Sequence, residues 1–267
     1  MNIFKNIYCG VLVSFAFAAT LTSCQDTDYP VAQPATGAST LSANALFINA
    51  APDAPALNFF VNNLAAGGTI APGAGTAYNV VAVGPIELRA KAASGSIGGI
   101  LGSADVLFRA GATNNTNFTA APATNYTFFV TDSLNRPKAT TLGATDPGGP
   151  RFLQVADALT APTAGNAGVR FYNLSTNSAA VWVNLVASGK TTTPFTNKAY
   201  RASVPAFSNV PAGTYTVEIR YTSATGKMQA SVDKITLADG KIYTMYASGL
   251  VGGTGSKAMT VGVAAHN

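Results

Sequence analysis

Gly213-Thr214-Tyr215-Thr216-Val217-Glu218-Ile219-Arg220-Tyr221-Thr222 alternates without a break. Tyr215, Val217, Ile219 and Tyr221 share one side, and the threonines, Glu218 and Arg220 share the other. A period of two marks a strand with one face on a core and one in water. Turn chemistry brackets it: Val210-Pro211-Ala212-Gly213 before, Ala238-Asp239-Gly240-Lys241 after. The same alternation runs through Ile86, Leu88 and Ala90 against Glu87, Arg89 and Lys91. No helical period persists downstream of the N-terminal leader.

The two alternating stretches belong to an internal repeat. Ala45-Leu46-Phe47-Ile48-Asn49 corresponds to Val169-Arg170-Phe171-Tyr172-Asn173, and Phe59-Phe60-Val61-Asn62 to Val181-Trp182-Val183-Asn184. Glu87-Leu88-Arg89 matches Glu218-Ile219-Arg220, and residues 117–132 lie without gaps over residues 234–249. Lys138-Ala139-Thr140-Thr141-Leu142 aligns with Lys257-Ala258-Met259-Thr260-Val261. Blocks in one order, about 120 residues apart, predict two tandem domains, since two copies are too few for a solenoid. About seven short strands per copy is the pattern of an immunoglobulin-like antiparallel β-sandwich.

Composition fits that class. Charged residues make up 10% of the chain, which leaves little for helices stabilised by spaced ion pairs. The formal net charge is +5, dispersed from Arg89 to Lys257 without a basic cluster, so no nucleic-acid site is expected. The two cysteines are Cys9 and Cys24. Neither falls in a sandwich, so the core must come from apolar packing, with Phe59, Phe128, Tyr215 and Tyr243 supplying much of the buried area.

The N-terminus carries an address. Lys5 and the apolar run Val11 to Thr20 read as an export signal, too short to span a bilayer. Leu21-Thr22-Ser23-Cys24 resembles the lipobox of bacterial lipoproteins, which implies acylation of Cys24 as the first mature residue. Gln25-Asp26-Thr27-Asp28 resembles surface-export signals of the Bacteroidota. From Gln25 to Ser42 the chain is rich in Pro, Ala, Thr and Ser and reads as a tether reaching up to about 60 Å. The expected organisation is a signal peptide (1–23), a flexible tether (24–42), a first β-sandwich (43–160) and a second (168–267). The expected location is the cell envelope, at the outer membrane and exposed at the surface.

Phe47-Ile48-Asn49-Ala50-Ala51-Pro52-Asp53-Ala54-Pro55-Ala56-Leu57 resembles the opening of domain-of-unknown-function family 4397, a strand, a Pro-Asp-Ala-Pro turn and a second strand. The second copy keeps Val169 to Ser175 and Val210-Pro211-Ala212-Gly213-Thr214-Tyr215-Thr216-Val217 but has Thr176-Asn177-Ser178 in place of the turn. The resemblance implies a β-sandwich on exported bacterial proteins, and no activity.

Candidate sites are few. The single histidine, His266, stands next to the C-terminus, where fraying is the default, so triads and histidine-ligated metals are not expected. Glu87 and Glu218, the only glutamates, sit at equivalent places in different domains as partners for neighbouring arginines, not as a glycosidase pair. Asp53 reads as a ligand carboxylate or as a turn residue hydrogen-bonding its own backbone, with Asn177 as counterpart; the second reading explains the residue without a ligand. Trp182, the only tryptophan, reads as a sugar-stacking platform or as packing, and Phe60 in the equivalent place favours packing. Asp132-Ser133-Leu134 resembles an O-glycosylation sequon of Bacteroidota. The reading is a non-enzymatic, lipid-anchored binding or structural module that needs no metal or cofactor. Its partners are the membrane and a glycan or another envelope protein, and the alternative is a carbohydrate-binding lipoprotein of a nutrient-uptake system.

Overall fold

Eight strands build the first sandwich: β1 (Ser42–Asn49), β2 (Leu57–Val61), β3 (Leu64–Ile70), β4 (Asn79–Ala82), β5 (Gly84–Ala92), β8 (Asn117–Ala120), β9 (Asn125–Thr131) and β10 (Arg151–Asp157). Two-residue strands β6 (Asp105–Val106) and β7 (Arg109–Ala110) lie between β5 and β8. The second contains β11 (Asn166–Asn173), β12 (Val181–Ala187), β13 (Lys190–Lys198), β14 (Ser208–Pro211), β15 (Gly213–Tyr221), β16 (Met228–Leu237), β17 (Ile242–Ser248) and β18 (Thr260–Ala265). This is a computed structural model, describing residues 41–94, 105–106, 109–110, 117–137, 148–204 and 206–266. Cys24, the tether and the block Lys138 to Leu142 lie outside them. Among the described residues there is no α-helix.

The two halves share one strand order. One sheet of the first runs β4-β1-β9-β10, extended by the short β7, and the other β3-β2-β5, extended by the short β6, with β8 also pairing β5. In the second the orders are β14-β11-β17-β18 and β13-β12-β15-β16. The all-β sandwich expectation holds, with one refinement: β1 pairs β9, and β11 pairs β17, in parallel. Among the described residues the second sandwich has eight strands and the first has eight with the short β6 and β7 added, against about seven expected for each.

Local chemistry explains the pairings. β5 and β15 have the same alternating burial, with Ile86, Leu88 and Ala90 in one and Tyr215, Val217 and Ile219 in the other facing their cores. The β2–β3 turn places Asn62 and Asn63 at φ 48° and 66°, and the β12–β13 turn places Ser188 and Gly189 at 48° and 75°. Two successive positive φ values make a type I′ turn, whose twist suits a two-residue hairpin.

Each sandwich has its own core. Phe47 stacks on Phe59 and Phe128 at centroid separations of 5.1 and 5.6 Å, and Phe152 closes the group. In the second, Phe171 stacks on Phe195 above Val183, Val217 and Ile219. A third cluster joins the halves: Leu46, Ile48 and Phe129 of the first meet Tyr172, Leu174 and Tyr246 of the second. The four sheets therefore stack in one pile, within one compact unit, Ala38–Asn267. This is why β1, β9, β11 and β17 are buried on both faces and read as near-continuous apolar runs.

Candidate functional site

The seam between the sandwiches gathers the buried ionisable groups. Arg170 lies mid-strand in β11 with none of its surface exposed, and its guanidinium pairs with Asp157 at the end of β10. Its Nε donates to Thr244 Oγ1 of β17 at 2.8 Å. Thr244 Oγ1 lies 2.6 Å from His266 Nε2, His266 Nδ1 lies 2.7 Å from Tyr78 Oη, and Tyr78 Oη donates to Asp157 Oδ2 at 2.6 Å. These contacts close a ring of five residues, Arg170, Thr244, His266, Tyr78 and Asp157. One assignment satisfies it: the tyrosine proton goes to Asp157, His266 donates from Nδ1 to Tyr78, and Thr244 donates to Nε2. Thr127 adds a 2.8 Å hydrogen bond to the same carboxylate.

The electrostatics agree with that assignment. Burial, then the proximity of Arg170, hold the His266 pKa down to about 4, with Asp157 opposing. Burial and the Asp157 charge push the Tyr78 phenol well above its ordinary value. The imidazole is thus neutral and the phenol protonated at neutral pH. His266 is not frayed, as its place next to the C-terminus had suggested. Strand β18 pairs with β17, the His266 amide donates to Ile242 O at 2.9 Å, and the ring packs on Phe207. A cleft of about 460 Å³, lined by Gly75 to Tyr78 and Val263 to His266, opens beside the ring.

A second polar knot centres on Asp132, just past β9. Arg151 Nε approaches its Oδ2 at 2.5 Å, Arg201 Nη1 at 3.1 Å and Arg136 Nε at 3.5 Å, while Tyr200 donates to Oδ1. Tyr200 and Arg201 come from the second sandwich, so this knot also crosses the seam. Burial and the neighbouring Arg151 lower the Arg201 pKa, and burial with the Asp132 charge raises that of Tyr200.

The residues singled out from sequence are not brought together. Trp182 is half-buried on the outer face of β12, across from Arg220 in the β12–β15 ladder. Phe60 holds the matching place across from Arg89, with the Lys91 ammonium 5.2 Å from its ring. Glu218 pairs with Arg220 at 2.9 Å and Glu87 with Arg89 at 2.8 Å. The Arg220 hydrogen bond holds the Glu218 carboxyl below its ordinary pKa. Asp53 accepts hydrogen bonds from Ser133 Oγ at 2.5 Å and Leu134 N at 2.9 Å. It thus bridges to the loop after β9 and does not bond its own turn. Asn177 plays the matching part, exchanging hydrogen bonds with Val251 in the loop after β17. Ser133, the centre of the sequon, is occupied by the Asp53 contact.

Sequence reasoning missed Asp157, Arg170, Tyr78 and Tyr200. The available signal was Arg170 itself, a charge inside an apolar run, which a strand buried on both faces tolerates only with a partner. Among the described residues no three of His, Cys, Asp and Glu come together as a metal would require.

A family model, Domain of unknown function (DUF4397), matches residues 43–184, from β1 through the first sandwich into β12. The chain belongs to the DUF4397 family. A comparison with curated proteins finds no relative. One solved structure similar to this DUF4397 protein is a leucine-rich repeat protein from Bacteroides thetaiotaomicron, at 14% identity and a TM-score of 0.17. The match covers 76% of this chain and 25% of that one, so this chain spans about a quarter of its length. So low a score says nothing about the fold or role of this DUF4397 protein.

Proposed function

We propose that this DUF4397 protein is an exported lipoprotein, acylated at Cys24, whose two sandwiches are tandem copies of one domain. In this reading they act as a non-catalytic binding or structural module at the envelope, on the outer membrane. The observation that supports it is the seam. Among the described residues Asp157, Arg170, Thr244, Tyr78 and His266 direct their hydrogen bonds mainly at one another and so tie the two halves together. Incorporation of a labelled fatty acid tests the anchor: it is lost in Cys24→Ala, and undiminished labelling overturns the reading. Crosslinking on whole cells, which captures an envelope partner, tests the module.

Carbohydrate binding is the second reading, favoured by Trp182 on the outer face beside Arg220 and Glu218. Among the described residues no aromatic side chain is exposed, so the row of open rings expected of a glycan platform is missing. Saturable glycan binding that disappears in Trp182→Ala would nevertheless move this reading to the front.

A further inference from the structure

From Ala54 to Ile86 the chain carries no charged residue. This run supplies β2, β3 and β4, and β3 and β4 are edge strands of opposite sheets at one side of the first sandwich. Between them lies a groove of about 200 Å³ whose lining is apolar apart from Asn62, with Val61, Leu64, Ala66, Val80 and Ala82 as its walls. Leu64 is 74% exposed and Val80 76% exposed at its rim. Leu41, 54% exposed, directly precedes Ser42, which faces Ala82 in the β1–β4 ladder, so it joins the same corner.

The second sandwich shows what these positions hold when they face water. Lys190 opens β13 as Leu64 opens β3, each after a two-residue turn. Asn209 faces Gly168 as Val80 faces Asn44, and Pro211 stands where the first sandwich has Ala82. Lysine and proline are usual guards of an exposed edge. The first sandwich has neither at the matching positions, Leu64 and Ala82.

We propose that this corner is a membrane-contact surface, on which Leu41, Leu64 and Val80 rest at the headgroup–acyl boundary of the bilayer that holds the anchor. The inference rests on the lipid-anchor reading. It commits to a lipid surface because the chain enters the sandwich at Leu41, seventeen residues after Cys24, so the patch lies within about 60 Å of the acylated cysteine. Contact with lipid removes no charge from water along the whole of residues 54–86.

The test uses the mature chain with Cys24→Ser, held by an N-terminal hexahistidine tag on phosphatidylcholine vesicles containing a nickel-chelating lipid. An environment-sensitive fluorophore is placed on Ala65→Cys, exposed at the groove, or on Ser223→Cys in the β15–β16 hairpin. Doxyl-labelled phosphatidylcholine is expected to quench at least half of the Ala65 signal and to spare Ser223. Adding Leu64→Asp and Val80→Asp, both at exposed positions, is expected to abolish that quenching while thermal unfolding stays unchanged. An unquenched Ala65 probe, quenching that survives the double substitution, or equal quenching at Ser223 overturns the proposal. Energy transfer between Ala65 probes on different copies without vesicles also overturns it and makes a second chain the occupant. Because the tag replaces the acyl group, these outcomes are independent of fatty-acid labelling at Cys24, which alone decides the anchor.

Discussion

Arg170 and Asp157 hold the most demanding positions in the molecule, since neither side chain touches water. Removing one partner leaves an uncompensated buried charge, which typically costs about 3–5 kcal/mol. Arg170→Leu is therefore expected to lower the unfolding free energy by roughly that amount in denaturant titration. Combining it with Asp157→Asn is expected to recover part of the loss. His266 gives a pH dependence of definite sign. Its folded pKa of about 4 lies below the unfolded value of 6.5, so the unfolded chain takes up the proton first. Its contribution is intact above 6.5, is lost as pH falls toward 4, and levels off below, with a ceiling of about 3 kcal/mol. Tm measured from pH 7 to 4 is expected to fall along this course and to flatten in His266→Leu.

At the level of elements, the same device recurs at the start of each sandwich. Asn49 ends β1 and gives its side-chain amide to Pro55 O at 2.9 Å; Asn173 ends β11 and donates to Ser178, Ala179 O and Lys198 O. Both are buried, and both tie down the turn into the next strand. Asn173→Ala strands several acceptors and is expected to cost about 1–3 kcal/mol. β18 must lie close to the ring of Tyr246, whose hydroxyl donates to Gly73 O across the seam at 2.8 Å. A Cβ at Gly262 would stand 2.2 Å from that ring. Gly262→Ala is thus expected to destabilise by about 1–3 kcal/mol through overpacking, and to increase amide exchange at Gly73 and its neighbours.

For the whole molecule the seam decides behaviour. Phe129, Tyr172 and Tyr246 interlock with centroid separations of 5.5 and 5.7 Å, and two polar knots flank them. One cooperative calorimetric transition is expected for both sandwiches, and Phe129→Ala, which empties the centre of the cluster, is expected to split it into two. The strands themselves were legible from residue chemistry. Alternation in Gly213 to Thr222 sorts each side chain to a core or to solvent, and paired turn residues stop each run. Strands in matching order occur in both halves, where similar stretches of sequence carry similar residue chemistry. The seam was not legible, because β1, β9, β11 and β17 display on the chain mostly apolar runs, broken in β11 by Arg170, and nothing local says which surface covers their second face. Asp157, Arg170, Tyr78 and His266 are separated by up to 188 positions, and each alone has a bland reading. Only the stacking of four sheets brings them within hydrogen-bond reach, and there low polarity turns separate residues into one ring that must be complete to be stable.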